Sequence, residues 1–226
     1  MQDKCYCFHQ AAVKRRRPWS RGVRFHPQQQ DTGAEGWLRL LALIDEAAAD
    51  GRTEFDPLRE MTDEQRVQVI TLPSSIAKLT AVRKFCMYRS NLVRIPPEIA
   101  GMTSLREFDP YTSYRLHWFP YEITRCPNLV DSRVSTRALF GNYSYRPPFP
   151  ALDGTKHVTA TCSVCDQPIQ QVHQVWISLR VATDVLPLLV NACSTACVEA
   201  LPTPPKNYVP TPHTGGLTLK QPPPDY

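Results

Sequence analysis

The sequence LPSSIAKL at residues 72–79 returns as IPPEIAGM at residues 95–102 and as FPYEITRC at residues 119–126. The first offset is 23 residues and the second is 24 residues. A period of this length is typical of solenoids, in which each short unit buries its apolar face against the next unit. The pattern therefore predicts a stacked repeat that works by presenting a surface rather than by enclosing a catalytic pocket.

Apolar residues between these segments recur in the order L-x-x-L-x-L-x-x-N-x-L. The matching positions are Val82, Leu105 and Leu129; Phe85 and Phe108; Met87, Pro110 and Val134; and Leu92, Leu116 and Leu139. Over residues 70–145 the pattern resembles the leucine-rich repeat family in its short bacterial form, which implies an α/β solenoid with one strand per repeat. Ser90, Ser113 and Arg137 stand at the usual asparagine position. Ser132 replaces an apolar residue.

The repeat pattern also predicts which side chains are exposed, because neighbouring residues of a strand point to opposite faces. Phe85 and Met87 are expected in the core, so the residues beside them face the concave surface. The candidate partner-binding residues on that surface are Lys84, Tyr88, Glu107, Asp109, Tyr111, Asp131 and Arg133. Two tyrosines in register, with charges of both signs around them, favour a protein partner. Ordinary solvated strand positions are the competing interpretation.

The strongest chemical motif is C-x2-C-x27-C-x3-C, formed by Cys162, Cys165, Cys193 and Cys197. Four thiolates in two close pairs are typical of a structural Zn²⁺ site, which leaves no coordination position open for catalysis. Two predicted strands separate the pairs and a short predicted helix holds the second pair. This arrangement resembles a treble-clef zinc finger, in particular the TRASH-like subgroup. Two disulfides are the alternative, although the expected cytoplasmic location argues against them.

Positive charge is concentrated near the start of the sequence. Residues 1–30 carry seven lysines and arginines against Asp3, a net charge of +6, whereas the whole chain carries +5, so the remainder sums to −1. Such an arm binds phosphate groups, acts as a targeting signal, or is a solvated extension. Between Cys162 and Cys197 the one basic residue is Arg180, so phosphate binding by the cysteine motif is not favoured.

We expect five segments along the chain. They are a basic, disordered arm at 1–31, a helical cap at 32–69, the repeats at 70–150, the zinc finger at 151–201 and a Pro-rich, extended or disordered tail at 202–226. Within the cap, Gly51 is expected to end one helix and Thr62 to cap the next. No apolar run reaches the roughly 20 residues of a membrane-spanning helix, and nothing near the start resembles a secretory signal. A cytoplasmic protein without membrane contact is expected.

These patterns favour a non-enzymatic protein-binding module with a structural zinc site. By analogy with small bacterial binders, a toxin or effector that the chain neutralises is one candidate partner. The alternative is a nucleic-acid-associated regulator that uses the basic arm and the zinc finger. A cysteine enzyme is disfavoured, because Cys126 is expected in the core and no histidine or acid at a defined spacing marks Cys86 as a nucleophile.

Overall fold

A computed structural model describes residues 22–224 of the chain, and it is a mixed α/β structure. Residues 1–21, which carry most of the predicted basic arm, lie outside the described residues. The described residues form two compact units. The first contains His26–Ala138 and Val181–Asp184, and the second contains residues 22–25, Leu139–Arg180 and residues 185–224. The predicted segment boundaries at residues 150 and 201 do not separate these units and stay predictions.

A long helix opens the first unit. Helix α1 spans Glu35–Asp50 and turns an apolar face inward. The buried residues of that face include Leu40, Leu43 and Ile44. The helix ends at Gly51, whose φ of 65° lies in the left-handed region that glycine adopts without strain. The predicted stop signal is therefore confirmed.

A short capped helix follows in the same unit. Helix α2 spans Asp63–Gln68, and Thr62 precedes it. The Thr62 hydroxyl accepts the Gln65 N–H at 3.2 Å, and the Gln65 side chain accepts the Thr62 N–H at 3.0 Å. This reciprocal pair is a capping box, so the predicted role of Thr62 is confirmed.

The centre of the first unit is a parallel sheet of four short strands. In spatial order these are β1 at Glu54–Phe55, β2 at Lys84–Cys86, β3 at Glu107–Asp109 and β5 at Asp131–Ser132, while β4 spans Phe119–Pro120. Lys84 pairs with Glu107, and Glu107 pairs with Asp131. Residues at the 23- and 24-residue offsets therefore stand side by side. Strand β1 carries no sequence signal, because two residues are too few to show an alternating pattern.

Each repeated proline is followed by a short 3₁₀-helix. These helices span Ser74–Lys78, Pro97–Gly101 and Tyr121–Arg125, and further 3₁₀-turns span Pro57–Glu60 and Thr136–Ala138. The first three pack side by side. A Cβ atom at Gly101 would lie 2.6 Å from the Ala77 Cβ. Neighbouring turns therefore approach so closely that position 101 has no space for a side chain.

Stacked phenylalanine rings fill the core beneath the sheet. Phe85 stacks with Phe55 at a centroid distance of 5.7 Å and with Phe108 at 5.5 Å. Phe119 meets Phe108 edge-on at 6.5 Å. These rings and Met87 are buried, which confirms the predicted inward positions of Phe85 and Met87. The ring contacts join three neighbouring strands into one continuous core.

Residues distant in sequence complete the hydrogen bonds of the edge strand β5. The Thr183 hydroxyl accepts the Ser132 N–H at 3.2 Å and donates to the Ser132 carbonyl at 2.7 Å. The Ser132 hydroxyl donates to the Asp184 carboxylate at 3.0 Å. A serine can therefore occupy a buried position where the repeat pattern expects an apolar residue, because its polar groups are bonded.

Replacing Thr183 with valine is expected to lower the free energy of unfolding by about 1–3 kcal/mol. The shape of the side chain is kept, but the Ser132 N–H and carbonyl lose a partner where the strand is buried. Urea denaturation measures the effect, and Thr80→Val, at an exposed position, is the matched control. Equal stability of the two variants would show that Thr183 does not support the edge strand.

The second unit contains most of a β-hairpin. Strand β6 spans His173–Val181 and strand β7 spans Asp184–Ala192, which confirms the two strands predicted between the cysteine pairs. Trp176 in β6 is fully buried, with its ring 5.8 Å from that of Phe140 and 5.7 Å from that of Phe149. These three aromatic residues pack together in the core of the second unit.

The Pro-rich tail belongs to the second unit over residues 202–224. Trp176 and His213 exchange two backbone hydrogen bonds of 2.8 and 3.1 Å. Farther along, the Gly216 N–H donates to the Phe149 carbonyl at 3.0 Å, and the Arg146 guanidinium donates to the Pro223 carbonyl at 3.0 Å. The tail residues 213–223 are therefore hydrogen-bonded to residues 146–176 of the same unit.

Candidate metal centre

The first cysteine pair lies in a tight turn before the hairpin. The Cys162 N–H donates to the Gln167 carbonyl at 2.8 Å, and the Asp166 N–H donates to the Cys162 carbonyl at 3.0 Å. Asp166 has a φ of 63°, a left-handed conformation that aspartate tolerates better than most residues. Within this turn Cys162 is buried and Cys165 is exposed.

The second cysteine pair lies where β7 ends and a short helix begins. Helix α3 spans Thr195–Glu199, with Ser194 as its N-cap, so the predicted helix is present but contains Cys197 and not Cys193. The Ser194 hydroxyl accepts the Cys197 N–H at 3.2 Å. With this cap in place, the Cys193 and Cys197 sulfurs lie 3.7 Å apart.

The fold brings all four predicted cysteines together. Their sulfur atoms lie within 4.8 Å of one another, and Cys165 is 3.6 Å from Cys193. Four sulfurs in a tetrahedron around a metal, with bonds of about 2.3 Å, would be about 3.8 Å apart. The shorter sulfur distances match this edge length. Because a disulfide bond is only about 2.05 Å long, the four free thiols fit a shared metal ion better than two disulfides.

Backbone hydrogen bonds to the Cys162 sulfur change the acidity of its thiol. Burial raises the pKa of its thiol, but N–H groups of Cys165, Val164 and Cys193 that donate to the sulfur outweigh burial and lower the pKa to about 6. Hydrogen bonds to the sulfurs of Cys165 and Cys197 raise the pKa of Cys193 to about 12. Four crowded sulfurs resist ionising together, so the cluster favours a cation among them.

A buried polar link connects the two ligand segments. The Ser163 N–H donates to the Asn191 carbonyl at 2.8 Å, and the Ser163 hydroxyl accepts the Asn191 N–H at 3.0 Å. Both residues are buried. No local sequence pattern predicts this link, because Ser163 and Asn191 lie 28 positions apart.

The charged candidates for partner binding lie in two rows across the sheet. Lys84, Glu107 and Asp131 share one register row and are exposed, with the Lys84 ammonium 3.5 Å from the Glu107 carboxylate. In the next row the Arg133 guanidinium lies 3.3 Å from the Asp109 carboxylate. Surface ion pairs of this kind contribute little to stability. Their role in binding stays a prediction.

The two tyrosine candidates form an exposed stack on the same face. Tyr88 is 46% exposed and Tyr111 is 42% exposed, and their ring centroids lie 6.3 Å apart. The Arg133 guanidinium carbon lies 5.7 Å from the Tyr111 centroid, a contact that the sequence pattern did not predict. Beyond them, Ser135 is buried and its hydroxyl accepts the Thr112 N–H at 2.8 Å. The exposed stack therefore consists of one tyrosine after β2 and one after β3.

The two cysteines considered as nucleophiles differ from an activated thiol. Burial raises the pKa of Cys126 to about 11, and its thiol donates to the Ile99 carbonyl at 3.3 Å. Burial is also the main cause of the raised pKa of Cys86. A raised pKa keeps both thiols protonated at neutral pH, where a nucleophilic cysteine needs to be a thiolate.

Comparison with known proteins identifies no family for this chain. No protein-family model matches the sequence, and no curated protein matches it significantly. The resemblance to bacterial leucine-rich repeat proteins and TRASH-like zinc fingers therefore stays a prediction, as does a bacterial origin. Over residues 22–224, no helix has both the length and the apolar character required to cross a bilayer.

Proposed function

We propose that this chain is a non-enzymatic protein-binding module whose concave sheet face binds another protein. The observation that carries the proposal is the stacked, half-exposed pair of Tyr88 and Tyr111. Tyrosine and arginine are enriched among the residues that dominate binding energy at protein interfaces. Here both occur together, because Arg133 lies against Tyr111.

Rigidity of this face supports a role in recognition. The tyrosines follow two paired strands whose inner residues, Phe85 and Phe108, stack in the core. A surface held in place before binding loses little conformational entropy when a partner arrives. The surrounding charges on Lys84 and Glu107 would add specificity more than affinity.

We interpret the first unit as a short leucine-rich repeat solenoid. Three observations support this interpretation: parallel pairing at the repeat offsets, a 3₁₀-helix after each repeated proline, and close packing of those helices. In addition, the Ser90 and Ser113 hydroxyls lie 2.7 Å apart, at the position where the family pattern has asparagine. A hydrogen bond there joins neighbouring turns.

We assign the cysteine cluster to a structural Zn²⁺ ion. A set of four thiolates suits a soft or borderline metal, and zinc is the usual occupant of a tetrahedral four-sulfur site. Four protein ligands complete the coordination shell, so the ion would have no position for an activated water. The metal would therefore stabilise the second unit and take no part in catalysis.

Replacing Tyr88 and Tyr111 together with alanine is expected to weaken partner binding by roughly 30-fold. This is the typical loss of affinity when a residue that dominates the binding energy of an interface is truncated. Proteins retained from native lysate by the immobilised wild-type chain are identified by mass spectrometry, and the affinity of each purified candidate is measured by calorimetry. Tyr114→Ala removes another exposed tyrosine, one outside the stack, and is the matched control.

Thermal unfolding of each variant separates a binding effect from misfolding. A partner that binds the double variant as tightly as the wild type would contradict the assignment of the concave face. The toxin hypothesis stays a prediction, because no described residue distinguishes a toxin from another protein partner.

A further inference from the structure

Hydrogen bonds join the two segments that carry the cysteine pairs. Ser163 lies inside the first pair, next to Cys162, and Asn191 lies two residues before Cys193. Two hydrogen bonds connect the backbones of these positions, one through the Ser163 hydroxyl. The turn that carries the first pair is therefore attached directly to the strand that carries the second pair.

The side chain of Asn191 extends this attachment. Its amide nitrogen donates to the His157 carbonyl at 3.0 Å, and its amide oxygen accepts from the Gln174 side chain at 2.8 Å. The Gln174 amide also donates to the Lys156 carbonyl at 2.8 Å. Residues 156–157 lead into the first cysteine turn. Asn191 therefore holds both that turn and the segment that enters it.

We propose that Ser163 and Asn191 are positioning residues, forming a hydrogen-bonded clamp that sets the spacing of the two cysteine pairs for metal binding. This inference rests on the proposed metal site. The clamp acts through the ligands: the Cys193 N–H, two residues beyond Asn191, donates to the Cys162 sulfur at 3.3 Å. Neither clamp residue contributes a sulfur.

Burial makes this clamp effective. Ser163 is 1% exposed and Asn191 is 3% exposed, so water does not replace a hydrogen bond that is lost there. An unsatisfied buried N–H is costly, and the segments would separate to hydrate it. Without the clamp, metal binding would have to bring together two cysteine pairs separated by a long chain segment, at an entropic cost. Pre-organisation of the ligands removes that cost from the binding step.

The test compares metal affinity in the full chain and in variants that keep all four cysteines. Ser163→Ala removes the acceptor for the Asn191 N–H, and Gln174→Leu removes the donor to the Asn191 amide. Zn²⁺ affinity is measured by competition with a chromophoric chelator. We expect Zn²⁺ binding about 10–100-fold weaker in Ser163→Ala, the range typical for residues that orient metal ligands.

Cobalt spectroscopy distinguishes positioning from ligation. Co²⁺-loaded Ser163→Ala is expected to show at saturation the same thiolate charge-transfer bands as the wild type, while it needs more metal to reach saturation. Ser163→Thr keeps the hydroxyl and is expected to restore most of the affinity. Ser90→Ala is the matched control, because it breaks a buried serine hydrogen bond far from the cysteines in sequence. It should lower stability and leave metal affinity unchanged.

Three results would overturn the proposal. If Ser163→Ala and Gln174→Leu both bind Zn²⁺ as tightly as the wild type, the clamp is wrong although the metal site stands. If Ser90→Ala weakens metal binding as much as Ser163→Ala does, the effect is general destabilisation. If the wild-type chain binds neither Zn²⁺ nor Co²⁺, the proposed metal site is wrong and the clamp with it.

Discussion

Replacing Cys162 with serine is expected to abolish binding of the proposed zinc ion and to lower the unfolding temperature by roughly 6–12 °C. Cys162 is the buried member of the cluster and accepts N–H groups from Val164 and Cys193. The serine side chain is shorter than that of cysteine, so its oxygen does not reach the ion. Oxygen is also a harder ligand than thiolate sulfur and binds zinc less well in such a site. Three sulfurs would remain around an incomplete coordination shell.

The size of this effect follows from the coupling of metal binding to folding. Structural zinc contributes about 10–16 kcal/mol of apparent binding free energy in small zinc fingers. Loss of even about 3 kcal/mol in a chain of this length corresponds to the stated temperature shift. Elemental analysis is expected to find about one zinc per wild-type chain and almost none in the variant. A strong chelator should destabilise the wild type and leave the variant unchanged.

Cys126→Ser is the matched control for this experiment. Cys126 is also buried, and a serine hydroxyl can keep its hydrogen bond to the Ile99 carbonyl. This variant is expected to retain full metal content. A full complement of zinc in Cys162→Ser, or none in the wild type, would refute the assignment of the cluster.

Replacing Phe85 with alanine is expected to reduce the free energy of unfolding by about 3–5 kcal/mol. Phe85 is fully buried and stacks on Phe55 and Phe108, so its loss leaves a cavity between two rings of neighbouring strands. Short strands of two or three residues have few backbone hydrogen bonds. The sheet therefore depends on these ring contacts more than a sheet of long strands would.

Tyr88→Ala is the matched control for Phe85→Ala, because it also replaces an aromatic ring with alanine, but at a half-exposed position three residues away. Its expected cost is about 1 kcal/mol or less, because much of the ring is already in water. Both variants are compared by urea denaturation with tryptophan fluorescence as the signal. A cost for Phe85→Ala no larger than that for Tyr88→Ala would show that the phenylalanine stack is not the core of the first unit.

The elements that followed from the sequence are those whose signals are local. The helix that ends at Gly51 and the capping box at Thr62 rest on neighbouring residues alone. The repeated proline segments lie 23 and 24 residues apart. The residues that pair across the parallel strands, Lys84, Glu107 and Asp131, are separated by the same intervals. The cysteine motif predicted four ligands, and their sulfurs do meet.

Other features had no signal of their own. Strand β1 is too short to show alternation, and it is a strand because β2 offers a pairing edge. Ser132 stands where the repeat pattern expects an apolar residue. It is accommodated there because the hydroxyl of Thr183, more than fifty residues away, hydrogen-bonds to it. Near the second tyrosine, the stacking of Arg133 on Tyr111 depends on the placement of two different strands.

Spacing of prolines, apolar residues and cysteines along this chain was enough to predict the parallel strands β2, β3 and β5, the hairpin strands β6 and β7, and the four cysteines that meet, because each depends on residues close in sequence or on a regular period. Tertiary structure alone decided three contacts: the hydrogen bonds between Thr183 and strand β5, the pairing of the tail with Trp176, and the hydrogen bonds between Ser163 and Asn191. Those contacts depend on which buried polar groups the packed chain brings within hydrogen-bonding distance, and each such group must find a partner once water is excluded.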